Sequence, residues 1–255
     1  MIVDAMAKVR LDQLVVDRGL APSRERARAL VLAGQVLVAG VVTTKAGTQV
    51  DAAADLALIT PDHPYVGRGG LKLAHALDAF HIDVRGREAL DIGASTGGFT
   101  DVLLQRGAAR VVALDVGHGQ LDWKIRKDPR VLVIEHFNAR HLTLADLPGR
   151  MNVVVIDVSF ISLRHIFPVL PPLLQPEGDV IALVKPQFEA GREEVRKGII
   201  RDEAVHARVL QEATDAAAAV GLARLGADTS PITGQKGNVE FLLHLRLPAP
   251  SSANP

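Results

Sequence analysis

Four charged residues, far apart in the chain, stand where an apolar strand ends or where a helix leads into one. In IALVKPQFE (181–189) a run with the profile of a buried strand stops at Lys185, and Pro186 follows at once. MNVVVIDVSF puts Asp157 at the end of a second such run, Lys72 lies in RGGLKLAHALDAF ahead of a third, and Glu240 sits within the apolar strand VEFLLHL. Each has an ordinary explanation: a lysine stem reaching water, an aspartate capping a helix, a lysine on a helix surface, an outward-facing glutamate. Four charges at one cleft mouth are harder to dismiss, because a buried ion without a partner costs several kcal/mol. Two ammonium groups beside two carboxylates can move a proton or hold a developing anion.

A second constellation lies in ALDIGASTGGFTD (89–101), a strand, a glycine-rich turn and a helix start. Gly93, Gly97 and Gly98 remove side chains where the backbone turns sharply and approaches a ligand closely. Their spacing, DxGxxxGG, is not the GxGxxG of pyrophosphate binders. Asp91 places a carboxylate where a ligand ammonium or an ordered water could be held, and Ser95 and Phe99 belong to the same turn. The next strand ends in Asp115, where an acidic side chain accepts hydrogen bonds from two ribose hydroxyls; a helix N-cap in DVGHGQ is the plainer alternative. Asn138, after the third strand, is expected near an adenine, or is simply a turn residue. A nucleoside with a charged amino-acid tail and no phosphate suits this set, namely S-adenosylmethionine.

These residues need a frame. Strand-like runs recur at EALDIG, ARVVALDV, RVLVIE, MNVVVIDV and DVIALV, and helical patterns occupy LKLAHALDAF, FTDVLLQRG, much of LRHIFPVLPPLL, and EAVHARVLQEATDAAAAVG. Such alternation predicts an α/β domain with a parallel sheet covered on both faces, whose ligands bind outside the carboxyl ends of the strands. GLARLGAD and GNVEFLLHLRL follow with no helix between them, so the sheet should close with an antiparallel hairpin. That ending marks the Rossmann-like methyltransferase sheet. The charged stretch EAGREEVRKGIIRD (189–202) is either a loop that closes on substrate or a solvated connection.

The first fifty residues read differently. LDQLVVDRG and SRERARALVLAG are short helical patterns, the second capped by Ser23 with Glu25 in its first turn and closing on Gly34. Short β-rich pieces follow, giving a small α+β domain. Ala27, Leu30 and Val31 share one helix side; Arg24 and Arg28 share another, with Arg26 displaced. Residues 8–48 hold seven basic groups (Lys8, Arg10, Arg18, Arg24, Arg26, Arg28, Lys45) against three acidic ones, a local +4 in a chain of formal net charge zero. An arginine-rich face of this kind is either solvated or binds nucleic-acid phosphate.

Composition sets the outer bounds. At 255 residues, 48% hydrophobic and 23% charged, the chain has the balance of a globular protein with one large domain or an ordinary one plus a small one. The absence of cysteine excludes disulfides and thiolate metal sites, fits a reducing cytoplasm, and leaves no metal required. No apolar run reaches spanning length, so no membrane is expected, and MIVDAMAKVR lacks the apolar core of a secretion signal. Met6 offers a second start, which would make residues 1–5 a tail.

RLDQLVVDRGLAPSRERARALVLAGQVLVAG resembles the small RNA-binding module shared by a ribosomal small-subunit protein, tyrosyl-tRNA synthetases and pseudouridine synthases, over most of residues 8–55. From Lys8 to Leu247 the whole chain resembles the haemolysin A (TlyA) family of ribosomal-RNA 2′-O-methyltransferases, whose catalytic domain is of the FtsJ type. The resemblance rests on RLDQLVVDRGLAPSR, RGGLKL, LDIGASTGGFTD, ALDVGHGQLDWKI, NARHL, VVIDVSFISL, LVKPQFE and GQKGNVEF. PDHPYVG (61–67), rich in proline and glycine, reads as a linker between expected domains at 8–60 and 68–248, with a tail at 249–255. The resemblance implies S-adenosylmethionine as methyl donor and ribosomal RNA or ribosomal subunits as partner, with the ribose 2′-hydroxyl of a cytidine in small- or large-subunit RNA as acceptor. The family's catalytic tetrad carries over to Lys72, Asp157, Lys185 and Glu240, with Asp157 also against the cofactor. Lys185 then acts as general base or as electrostatic stabiliser of the oxyanion. RNA contacts are implied at Lys8, Arg10, Arg24, Arg26, Arg28, Lys45 and Arg68. Gly67 stands where serine is usual, EHFNAR differs ahead of the asparagine, and Arg196 and Ile199 replace smaller residues; none of these touches the tetrad. Competing readings are an inactive RNA-binding or assembly protein, a nicotinamide-dependent oxidoreductase, and a pore-former suggested by the family's haemolysin name.

Overall fold

Ser23 opens the second helix as its residue type predicts: its hydroxyl accepts from Arg26 N at 3.2 Å. In the computed structural model, which describes residues 8–59, 63–191, 193–195 and 198–249, the chain divides into two compact units, residues 1–64 and 65–255. In the first, α1 (Leu11–Asp17) and α2 (Arg24–Leu32) pack through Leu11, Val15, Ala27 and Val31, all fully buried. Gly34 ends the α2 turn at φ +67°, a left-handed conformation that glycine adopts without steric cost. Beside the helices, β2 (Val36–Val38) pairs antiparallel with β3 (Val41–Val42) and β5 (Leu56–Leu58). A strand absent from the sequence reading, β1 (Lys8–Arg10), pairs with β4 (Gln49–Asp51). Three residues are too few to show an alternating pattern. The start at Met1 or Met6 and residues 250–255 lie outside the described residues, as do Arg192, Arg196 and Lys197 of the 189–202 loop and residues 60–62 at the linker.

The second unit is a seven-stranded sheet in the order β11-β12-β10-β9-β6-β7-β8. Its parallel strands are β6 (Glu88–Ile92), β7 (Arg110–Leu114), β8 (Val131–Ile134), β9 (Met151–Ile156) and β10 (Leu174–Val184); β11 (Ala223–Thr229) and β12 (Phe241–Arg246) form the expected antiparallel hairpin. Alternate strand residues feed two cores. Leu90, Val112, Val154 and Val180 face the long helix Glu203–Ala218, whereas Ala89, Val111, Val153 and Ile181 face α3 (Gly69–Ala79) and α4 (Gly98–Gln105). At about 1.5–3 kcal/mol per buried aliphatic side chain, this two-sided burial is what holds the strands in register.

Two expectations need correction. LRHIFPVLPPLL is three short 3-10 turns (163–165, 167–169 and 171–173) and not an α-helix. Pro168, Pro171 and Pro172 lack the N–H donors an α-helix requires there. Glu240 lies one residue ahead of β12, not within it.

Candidate active site

The strand register assembles the four charges. Ile92 is level with Ile156 and Ile156 with Ala182, while Val184 faces Phe241, so the residues just beyond the ends of β6, β9 and β10, together with the one before antiparallel β12, share one rim. At that rim Lys185 Nζ lies 2.6 Å from Asp157 Oδ1 and donates to Ser159 Oγ at 3.0 Å. Lys72 Nζ pairs with Glu240 Oε2 at 2.5 Å. The pairs are close neighbours: Gln187, two residues beyond Lys185, donates to Glu240 Oε1 at 3.4 Å, and a Cβ on Gly69, one turn before Lys72, would stand 3.7 Å from Asp157 Oδ2. Lys72, Lys185 and Glu240 are all buried. The tetrad is thus two ion pairs at one place, each charge compensated within a poorly hydrated site.

Two cavities meet there. One of about 180 Å³ is lined by Gly69, Gly93, Ser95, Phe99, Asp157 and Lys185, among others. The other, of about 500 Å³, is walled by Asp115, Asn138, Gln120, Phe137 and Phe160 and shares Gly93, Ser95, Asp157 and Ser159 with the first. Asp115 is not a helix cap. Its carboxylate accepts from Ser95 N at 2.8 Å and Gly117 N at 2.7 Å, tying two loops together, and no helix begins before Asp122. Asn138 does cap a turn, accepting from Arg140 N at 3.1 Å, and lines the larger cavity as well.

The glycines act differently from the expectation that all three make room for a ligand. At Gly93 (φ +89°) a Cβ would stand 2.5 Å from the Asp157 carbonyl oxygen; at Gly97 (φ +95°) it would meet Leu121, and at Gly98 the backbone of Gly67 and Gly70. The close approach is therefore to the protein itself, although Gly93 and Gly98 also line the smaller cavity. Asp91 and Gly97 line neither cavity. Asp91 is fully buried, accepts from Thr100 Oγ1 at 2.6 Å, and has one carboxylate oxygen with no partner. Burial pushes its pKa up to about 7, opposed by the Thr100 hydroxyl and reinforced by Asp157.

In the first unit, Arg10 and Arg24 converge on fully buried Asp12, Arg10 through two bonds of 3.0 and 2.9 Å and Arg24 at 3.3 Å. The Arg10 bonds hold Asp12 at about 2, against the opposing effect of burial. Lys8, Arg28 and Lys45 are exposed, Arg26 is half-buried, and Arg68, in the second unit, is exposed.

The FtsJ-like methyltransferase profile matches residues 65–247, and the S4 domain profile matches residues 9–56. The chain belongs to the FtsJ-like methyltransferase family. Relatives of this FtsJ-like chain include the 16S/23S rRNA (cytidine-2′-O)-methyltransferase TlyA of Mycobacterium tuberculosis, 46% identical over 94% of this chain and 90% of that one. Hemolysin A of Brachyspira hyodysenteriae is 44% identical over 92% of this chain and 99% of its own. A solved structure of a hemolysin candidate from Streptococcus thermophilus superposes with a TM-score of 0.76 at 46% identity, covering 96% of this chain and 90% of that one.

Sequence reasoning had not singled out Gln187, Thr100, Gly234 or Asp12. Gln187 is two residues from Lys185 within LVKPQFE, the one local signal available. A Cβ on Gly234 would overlap the Glu240 carboxylate, a contact that no spacing rule reveals.

Proposed function

We propose that this chain is a ribosomal-RNA methyltransferase that moves a methyl group from S-adenosylmethionine to the 2′-hydroxyl of a ribose, on a cytidine as the name of the Mycobacterium tuberculosis relative states. The observation that carries this reading is the pairing of Lys185 with Asp157 at the junction of the two cavities, beside the turn at Gly93. The residues fit the donor. Asp115 and Asn138 offer acceptors along the larger cavity and Phe137 offers an apolar wall; fully buried Asp91 lines neither cavity and supports the turn from behind through its bond to Thr100. When bound, the donor supplies an electrophilic methyl group on a sulfonium.

The chain's residues do the rest. A ribose hydroxyl becomes a competent nucleophile as it loses its proton, which leaves to solvent through the larger cavity as the positive charge of the donor is discharged, and the barrier falls when a fixed cation faces the oxygen. Lys185 supplies that cation, oriented by Asp157 and Ser159, so little reorganisation is needed at the moment of transfer. Lys72 and Glu240, which line neither cavity and pair with each other, are assigned to orienting the acceptor side from the same rim. Burial of the pairs raises the worth of each charge by excluding water. Phosphate contacts from Lys8, Arg10, Arg24, Arg26, Arg28 and Lys45 of the S4 unit, and from Arg68, hold the RNA without reading its sequence. Among the described residues no helix is long and apolar enough to cross a membrane, and no cluster of His, Asp or Glu is arranged to hold a metal ion.

The test is transfer of labelled methyl from S-adenosylmethionine to ribosomal RNA, with 2′-O-methyl positions mapped with and without the protein. A new ribose methyl at a cytidine is the expected result; label on a base, or none, refutes the reading.

A further inference from the structure

Trp123, the chain's only tryptophan, is 66% exposed on the short helix α5 (Trp123–Arg126). The helix beneath it is firmly held. Asp122 caps it by accepting from Lys124 N at 2.8 Å, the Asp122 N–H donates to Thr96 O at 3.1 Å, and buried Leu121 and Ile125 pack under Gly97. Flexibility therefore does not account for an indole left in water, and an exposed indole on a rigid support is a feature of binding surfaces.

Charge adds a second observation. Lys127 Nζ lies 4.1 Å from the indole centroid, and among the described residues no carboxylate pairs with it. Lys124 reaches Asp101 only at 4.0 Å, with its side chain 71% exposed. Arg126 and Arg130, by contrast, are neutralised by Glu135 and Asp128. What remains is an indole with one ammonium over one of its faces, leaving the other for a base, and a second, largely exposed lysine on the adjacent residue. Position is the third observation: Thr96, bonded to Asp122, lines the same small cavity as Lys185 and Asp157.

We propose that Trp123, Lys124 and Lys127 form a stacking platform for the RNA strand whose ribose enters beside Lys185, an inference that rests on RNA being the substrate as read above. Every base offers a π-face to an indole, and the lysines meet the flanking phosphates.

The single tryptophan is a built-in reporter. Adding purified ribosomal RNA to the full-length protein should quench indole emission in a saturable, salt-sensitive manner. Trp123→Ala should weaken RNA binding about tenfold, the loss of one stacked base, while S-adenosylmethionine affinity and melting temperature stay unchanged. Trp123→Phe should recover part of the affinity, and Lys127→Gln should lower the salt slope by about one charge. RNA that binds and is methylated with unchanged emission and unchanged Trp123→Ala affinity overturns the platform and leaves the substrate reading intact. RNA that does not bind at all, followed by anisotropy of labelled RNA, overturns both.

Discussion

Lys185 is held by two partners of different kinds, the carboxylate of Asp157 and the hydroxyl of Ser159, so its ammonium has a fixed direction as well as a fixed place. In the mechanism proposed above, truncating it removes the cation that faces the acceptor oxygen, and it leaves the larger cavity, which Lys185 does not line, intact. Lys185→Ala should therefore lower methyl transfer by about 10²–10³-fold, with donor affinity, measured by calorimetry, nearly unchanged. Lys185→Arg should not restore activity, because a planar guanidinium cannot occupy the position of a compact ammonium. Asp91 makes a different prediction. Its folded pKa of about 7 lies above its ordinary 3.8, so the folded state holds the proton more tightly than the unfolded one. Stability from this group is complete below the ordinary value, declines as pH rises from there to about 7, and is flat beyond. Melting temperatures of wild type and Asp91→Asn across that interval should diverge in favour of the asparagine variant as pH rises; a constant difference would show that Asp91 does not titrate there.

The hairpin at the end of the sheet positions Glu240 through its reversed direction. A parallel strand presents the residue after its carboxyl end to the rim, whereas antiparallel β12 presents the residue before its start. Glu240 thereby meets Lys72 on α3 across 168 residues of chain. The turn ahead of β12 is fitted to that placement. Asn238, buried, accepts from Ile200 N at 3.1 Å, donates from its side-chain amide to Gly198 O at 2.8 Å, and through its own carbonyl holds Gly234 N at 2.8 Å. The lack of a side chain at Gly234 is what leaves space for the Glu240 carboxylate. Gly234→Ala should displace that carboxylate from Lys72 and cut methyl transfer by at least about tenfold, with donor affinity retained, because residue 234 does not line the larger cavity. Equal activity in the alanine variant would mean that the Lys72–Glu240 pair does not position the acceptor.

Across the whole molecule, what could be read from the letters was whatever is encoded locally. The βα alternation, the closing hairpin, the Ser23 cap and the glycine turn each rest on patterns local in the sequence, and the rim position of Lys185 and Asp157 follows once strands are parallel. The way the charges pair was not legible, because whether Lys72 meets Glu240 or Asp157 depends on strand register and helix rotation. Nor was the role of Asp12. It looks like one acidic residue lowering the count of a basic module, yet it is fully buried and binds Arg10 and Arg24. The two readings of Asp12 predict opposite signs. If RNA affinity follows the formal charge of the S4 unit, Asp12→Asn adds a positive charge and should tighten binding. If affinity follows the orientation of the arginines, losing the carboxylate frees both side chains, each must then be ordered on binding, and affinity should fall despite the added charge. The geometry favours the second outcome, about 3–10-fold weaker binding at fixed salt. Arg28→Gln, at an exposed arginine with no ion pair among the described residues, is the control. It should reduce the slope of log affinity against log salt by about 0.7–0.9, whereas Asp12→Asn should leave that slope nearly unchanged while lowering the affinity itself.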